Sequence, residues 1–317
     1  MRRALREAGG RLAVFGLRGA VALLARLPLA AVVRLGRLGA DVAYAVGPWR
    51  RTIRANLDLV YGERLPRAEK RRIAREANRN AVLTLLEMLR ATDPRAGDEM
   101  AACQAFEPAG LIESLAADSR GALIAMAHSG NFDGLGVAWS RRCAKPAWGV
   151  MKSLKARRVG RFLEDGRRRL GFGVIDASGV SAMLRAVRRV SAGEVVCILP
   201  DQYARSHGAV VEFLGVTAST HRGAASVALQ SRDARIVVAV DTRVDGGARH
   251  VCHLVEIDDF ARSDDFEADV ERLTQRFCDA MGAVILRHPE SYLWHHRRFG
   301  HPGSAVRRLG KGGVART

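Results

Sequence analysis

Short apolar runs at residues 122–127, 147–151, 173–176, 195–199, 236–240 and 250–257 punctuate the chain, and between them apolar side chains recur three and four positions apart. Runs of that length read as strands buried on both faces, and the 3.6-residue period reads as helices laid over them. Helices are expected at residues 132–142, 157–170, 180–191, 222–231 and 264–288, giving an α/β fold with a mostly parallel central sheet flanked by helices. Asp245-Gly246-Gly247, between the last two runs, is a hairpin signal, so an antiparallel edge is expected. Upstream, residues 50–60 and 67–90 also carry a helical period, with Ile73, Ala77, Ala81, Leu85 and Met88 near one stripe and Leu65-Pro66 as the break.

The pattern changes at the N-terminus. Residues 12–46 are largely apolar, yet Arg18, Arg26, Arg34 and Arg37 interrupt them, whereas a spanning helix wants about 20 consecutive apolar residues. Pro28 divides the stretch into two helices. In the second, Arg34, Arg37 and Asp41 share one face while Leu35, Leu38 and Val42 lie on the neighbouring one. A membrane-associated helical hairpin over residues 1–48, lying in the interface rather than crossing it, is the expectation, with a soluble core pair as the alternative. One large domain over residues 49–300 and a disordered, basic Gly- and Arg-rich tail over 301–317 follow.

Composition narrows the partners. Lys and Arg number 51 against 33 Asp and Glu, a formal net charge of +18, which calls for an anionic partner. Nucleic acid is not expected: aromatic residues are 6%, and the chain has neither zinc-ligand spacing nor a recognition-helix signature. An anionic membrane surface fits better, each cation beside it contributing about 1 kcal/mol. The five cysteines are scattered and odd in number, the usage of a reducing compartment, and imply no disulfide framework or metal site.

The densest chemistry is His128-Ser129-Gly130-Asn131-Phe132-Asp133, set directly after the apolar run 122–127. A strand delivering histidine to a turn offers a general base. Residues five apart lie about 140° apart around one helix, so His128 and Asp133 meet only across a bend. Gly130 permits that bend, and Asn131 caps the helix that places Asp133 in its first turn. Backbone amides near Gly130 and Asn131 could then serve a developing oxyanion. Ser129 has no Gly-x-Ser-x-Gly elbow around it, so a covalent route is not favoured.

With Leu199-Pro200-Asp201-Gln202, the segment Val210-Val211-Glu212-Phe213-Leu214-Gly215, and the terminal run 292–299, this hexapeptide forms an ordered set. The set resembles the bacterial lysophospholipid acyltransferase superfamily, in particular its branch of lipid A late acyltransferases (lauroyl and myristoyl acyltransferases) and phosphatidylinositol mannoside acyltransferases. The resemblance runs from about residue 50 to 299, though many relatives begin with a cleaner single anchor. It implies a glycerolipid acyltransferase-like fold and an acyltransferase domain over 49–300. By the same resemblance, the activity is transfer of a fatty acyl chain from acyl-carrier protein or acyl-coenzyme A to a phosphorylated glycolipid. Lipid A precursor is the first acceptor, and a glycosylated phosphatidylinositol or an aminolipid is its rival. The place is the cytoplasmic face of the inner membrane, with no cofactor beyond the acyl donor.

His128 and Asp133 are the expected catalytic residues. Asp201 and Gln202 belong to the active-site wall by resemblance, and Glu212 is a second carboxylate that could address His128, unranked against Asp133. Asn131, Lys152, Arg168 and Arg222 complete the candidates, Arg168 being chosen from Arg167, Arg168 and Arg169 as the phosphate ligand. Arg54, Asn56 and Leu57 resemble a family region, and residues 292–298 suit an interfacial collar. Two further readings remain in view: a metal-dependent phosphoesterase using His128, Asp133, Asp201, His207 and His221, and a non-catalytic basic membrane module.

Overall fold

Two helices open the chain, α1 (Arg2–Arg26) and α2 (Leu29–Val46), joined at Pro28, followed by α3 (Trp49–Tyr61) and α4 (Arg67–Arg90). The computed structural model describes residues 2–300 apart from Ala144, Lys155 and Val180, so the expected tail over 301–317 lies outside the described residues. Then come α5 (Pro94–Ala102), β1 (Gln104–Glu107), α6 (Ala109–Ala117), β2 (Ala122–Met126), α7 (Phe132–Arg142), β3 (Ala147–Met151), α8 (Arg157–Arg169), β4 (Phe172–Asp176), α9 (Ser181–Ser191) and β5 (Val195–Ile198). The chain closes with β6 (Ala209–Phe213), β7 (Val216–Thr220), α10 (Gly223–Gln230), β8 (Arg235–Arg243), β9 (His250–Glu256) and α11 (Phe266–Arg287).

Seven strands form one sheet in the order β1-β9-β8-β2-β5-β3-β4, parallel except at β8–β9. The hairpin read from Asp245-Gly246-Gly247 is the β8–β9 connection, but the antiparallel strand is not the edge. Strand β1, hidden in a segment without a clear apolar run, pairs with β9 and covers it. The region around Glu212 forms a separate two-stranded hairpin, β6–β7, turning at Leu214 and Gly215, both at positive φ.

Strand β2 sits in the middle, and its alternation divides the core. Leu123, Ala125 and Ala127 join one apolar layer with α9, α10 and α11, while Ala122, Ile124 and Met126 join the other, with Leu135 and Trp139 of α7. His128 follows on the even-numbered, α7-facing side. Register decides what it meets. Ala125 pairs with Ile198 of β5 and with Val238 of β8, so three residues further on position 128 is level with Asp201 on one side and Asp241 on the other.

Helix α2 buries Val32, Val33, Gly36 and Ala40, and polar groups beside that face tie it to α4: Asp41 accepts paired bonds from Arg75 (2.8 and 2.7 Å) and Arg79 (2.8 and 2.6 Å), and Ala40 O accepts from Asn78 Nδ2 at 2.7 Å. Gly36 allows the approach, since a Cβ there would stand 2.7 Å from Leu83 Cδ2. Leu35, Leu38 and Val42 are left 59%, 65% and 64% exposed. Among the described residues no helix is long and apolar enough to cross a membrane.

Candidate active site

The register argument is met by side chains. Asp201, just beyond β5 and almost fully buried, lies with Oδ1 2.6 Å from His128 Nδ1, and its Oδ2 accepts the His128 backbone N–H at 2.9 Å. A carboxylate can only accept, so Nδ1 carries the proton and Nε2 is the free acceptor of the neutral ring. Gln202 places its amide nitrogen 3.1 Å from that Nε2. Burial alone would raise the Asp201 pKa, but the attraction of His128 and hydrogen bonds from its ring and backbone hold it below the usual carboxylate value.

The expected pairing of His128 with Asp133 is not the one formed. Asp133 does stand in the first turn of α7, where Asn131 caps the helix by accepting from Gly134 N at 2.9 Å. Its Oδ1, however, accepts from Arg167 Nε and Nη2 at 3.0 and 2.7 Å. The reason is geometric: the turn carries Asp133 along the cleft wall toward α8, whereas the sheet register brings Asp201 directly beside the ring. Glu212 is further away in kind. It lies exposed on β6, where its backbone exchanges hydrogen bonds with Gln275 of α11 (2.8 and 2.9 Å).

The expected oxyanion donors are also committed elsewhere. Gly130 N donates to Ser291 O at 2.8 Å and Asn131 N to Asp241 Oδ2 at 2.6 Å. Asp241 belongs to a buried charged cluster that the sequence reading missed entirely. It accepts from Gln104 Nε2 at 2.7 Å and pairs with His250 Nδ1 at 2.7 Å, while Glu87 binds Arg243 through both oxygens at 2.6 and 2.8 Å and lies 3.6 Å from His250 Nε2. Against burial, which would lower it, Asp241 and Glu87 raise the His250 pKa to about 9. Gly130 alone allows this floor beneath the turn: its φ is 55°, and a Cβ would stand 2.2 Å from Asp241 Oδ2. The one advance signal for Asp241 was its place directly after the apolar run 236–240.

From the opposite side, the terminal segment buttresses the same turn. Leu293 N donates to His128 O at 2.9 Å, and Asn56 Nδ2 donates to Trp294 O and His296 O at 2.8 and 2.7 Å. Trp294 and Arg298 are buried, Arg298 reaching Ser219 O at 2.8 Å and Thr220 Oγ1 at 2.5 Å, so this segment is packing rather than an interfacial collar.

His128 opens onto a cleft of about 740 Å³ between α7, α8 and the carboxyl ends of β2, β3 and β5. Its depth is apolar, formed by Met126, Met151, Leu163, Phe172 and Leu199, and its cations are Lys152, Arg167 and Arg205. A smaller cavity of about 160 Å³ beside α4 also reaches His128 and shares Met88, Phe132 and Asp133 with the first. Of the three consecutive arginines it is Arg167, not Arg168, that enters the cleft; Arg168 is exposed beside Glu164. A helix turns one position of three inward, and here Gly160, Leu163, Glu164 and Arg167 share that side. Arg222 stands at the start of α10, paired with Glu267 and outside the cleft. Tyr203, Arg205, Ser206 and His221 line it without having been singled out for substrate contact. The metal-ligand set does not converge: Asp133 is held by Arg167, Asp201 by His128, and His207 is exposed, and no described group of three or more His, Cys, Asp or Glu is arranged for a metal.

A largely parallel sheet that ends in a histidine over a cleft with apolar walls is the arrangement of an α/β fold with its ligand site at the carboxyl ends of the strands. The family model for bacterial lipid A biosynthesis acyltransferases matches residues 3–301, and the chain belongs to that family, among the acyltransferases of lipid biosynthesis. It is also similar to a phosphatidylinositol mannoside acyltransferase of Mycolicibacterium smegmatis, 28% identical over 178 residues, which are 56% of this chain and 55% of the relative. The chain thus spans about half the length of the curated relative it matches.

Proposed function

We propose that the protein transfers a fatty acyl chain from an acyl thioester, acyl-carrier protein or acyl-coenzyme A, to a hydroxyl of a phosphorylated glycolipid, with His128 as general base and no acyl-enzyme. The observation that carries this reading is the His128–Asp201 pair at the junction of two cavities, its Nε2 turned to an apolar cleft. The larger cavity takes the acyl chain, each methylene it removes from water contributing about 0.8 kcal/mol. Lys152 and Arg205 suit the phosphate of donor or acceptor, and Arg167 is held ready by Asp133.

In the resting site the Gln202 amide donates to Nε2. An incoming hydroxyl takes its place and gives its proton to Nε2 as the oxygen attacks the thioester carbonyl carbon. The displaced amide, still beside His128, donates to the oxyanion. Collapse of the intermediate breaks the carbon–sulfur bond, and the imidazolium returns the proton to the thiolate. Asp201 keeps the tautomer correct throughout and stabilises the transient cation.

Lipid A precursor is the acceptor favoured by the family description. The relative's name favours a second reading, a glycosylated phosphatidylinositol. The outward apolar face of α2 supports a place on the membrane surface, and the cysteine usage supports its cytoplasmic side. The test is transfer of a labelled acyl group from each donor to each acceptor in detergent, wild type beside His128→Ala. The variant is expected to lose roughly 10²- to 10⁴-fold in rate, with or without chelator. Equal transfer by both proteins rejects His128 as the base.

A further inference from the structure

Helix α8 is a wall with two sides. Gly160, Leu163 and Arg167 face the active-site cleft, whereas Arg158, Arg161, Phe162 and Arg169 face a second cavity of about 950 Å³ whose other wall is α1. That wall adds Arg11, Arg18, Leu12 and Phe15, so five guanidinium groups surround the space and Asp165 is its one carboxylate. None of the five has an ion-pair or hydrogen-bond partner among the described residues. Beside them Leu12 and Phe15 are exposed, Phe15 at 76%, and Val21 is the one buried apolar side chain of α1 among the described residues.

Over residues 10–26 helix α1 buries little apolar surface, and a cavity lined by unpaired cations beside apolar side chains is complementary to one kind of molecule, an anion carrying a hydrocarbon chain. We propose that the α1–α8 cavity is a second ligand site that takes the phosphate-bearing headgroup and upper acyl chain of an anionic membrane phospholipid, fastening α1 against α8 at the bilayer surface. The inference rests on the membrane reading above but not on the acyl-transfer chemistry. Continuity supports it: Leu35, Leu38 and Val42 of α2 are exposed in the same N-terminal pair of helices. Because α8 also forms the wall that carries Arg167, a lipid seated behind it braces the active-site cleft from the rear.

The test is co-sedimentation of the full chain with phosphatidylcholine vesicles, with and without phosphatidylglycerol. Wild type is expected to prefer the anionic vesicles. Arg158→Ala with Arg161→Ala is expected to weaken that binding roughly 30-fold, from about 1 kcal/mol per cation near an anionic surface, and to leave binding to neutral vesicles unchanged. Arg188→Ala with Arg232→Ala removes the same charge from exposed positions on other elements and is expected to have little effect. Equal losses in the two pairs would reduce the site to diffuse surface charge and overturn the proposal. So would relief of the preference by inorganic phosphate alone, which marks a simple anion site. Unchanged vesicle binding with weakened use of acyl-carrier protein in detergent would assign the cavity to the donor instead. Vesicle binding needs no turnover, so failure of every tested acceptor would count against the proposed reaction and not against this site.

Discussion

The molecule contains two His–Asp pairs of nearly identical geometry, on the two sides of β2. His128 Nδ1 lies 2.6 Å from Asp201, and His250 Nδ1 lies 2.7 Å from Asp241. They differ at the far nitrogen. His128 is 18% exposed and turns Nε2 toward Gln202 and the cleft, whereas His250 is 3% exposed and turns Nε2 toward Glu87. A carboxylate at Nδ1 sets the tautomer in both, but a base also needs an uncharged acceptor that a substrate can reach. With a second carboxylate behind it, His250 is a cation clamped between two anions. On the proposed reading the first pair serves proton transfer, while the second holds the floor under the Ser129–Asn131 turn, so pairing alone does not identify a catalytic histidine.

The widest separation between the pairs is expected from Asp201→Asn. An amide at this place donates to Nδ1, drives the ring proton to Nε2 and removes the acceptor, so kcat should fall about 10³-fold or more while the fold persists. Asp133→Asn leaves the tautomer alone and loosens only Arg167, and a fall of about tenfold or less is expected. Acyl-transfer kinetics of the two variants side by side decide the matter: an Asp133→Asn enzyme as impaired as Asp201→Asn would return the orienting role to Asp133.

The opposite signature is expected at the second pair. His250→Leu strips the cation from between Glu87 and Asp241 and leaves both carboxylates buried with less compensation, which should cost about 3–5 kcal/mol in urea unfolding. Residual activity per folded molecule should stay far above that of Asp201→Asn. If His250→Leu is as stable as wild type, the cluster is not the support described here.

How much of this was legible beforehand follows from what each feature depends on. The strands 122–127 and 195–199 announce themselves because both faces are buried, and Asn131 and Gly130 announce a capped turn by residue type. His128 was therefore within reach. Its partner was not, because proximity in sequence favoured Asp133, while the true neighbour is set by a strand register that only the assembled sheet defines. Asp241, His250, Arg243 and Glu87 come from β8, β9 and α4 and carry no local signature, since each is an isolated charge inside an otherwise apolar or helical pattern. Arg168 was chosen over Arg167 among the three consecutive arginines, and the phase of α8 against the cleft selects Arg167 instead. The short strand β1 escaped because Gln104 and Glu107 break its apolar character. In α2 the exposed stripe of Leu35, Leu38 and Val42 was legible, whereas the pairing of Asp41 with Arg75 and Arg79 depended on how α4 packs beside it.

The smallest effect sharpens the same contrast through pH. His250 is raised from 6.5 to about 9 in the folded protein, so its proton is bound more tightly in the native than in the unfolded chain. Its contribution to stability is then fully present below about 6.5 and is lost as pH rises through about 9. Asp201 works in the other direction: its folded pKa lies below 3.8, so its contribution is present above that value and is lost as pH falls through the lower folded one. The charged groups facing His250 are Glu87 from α4 with Asp241 and Arg243 from β8. Glu87 is held low because the charges of Arg243 and His250 and the hydrogen bonds from Arg243 outweigh its burial, so it stays ionised across the alkaline window. Urea midpoints of wild type are therefore expected to decline between about pH 6.5 and 9, and those of His250→Leu to decline less over the same interval. Parallel declines would mean that other groups carry the alkaline loss and that the buried histidine is not the charged partner its neighbours require.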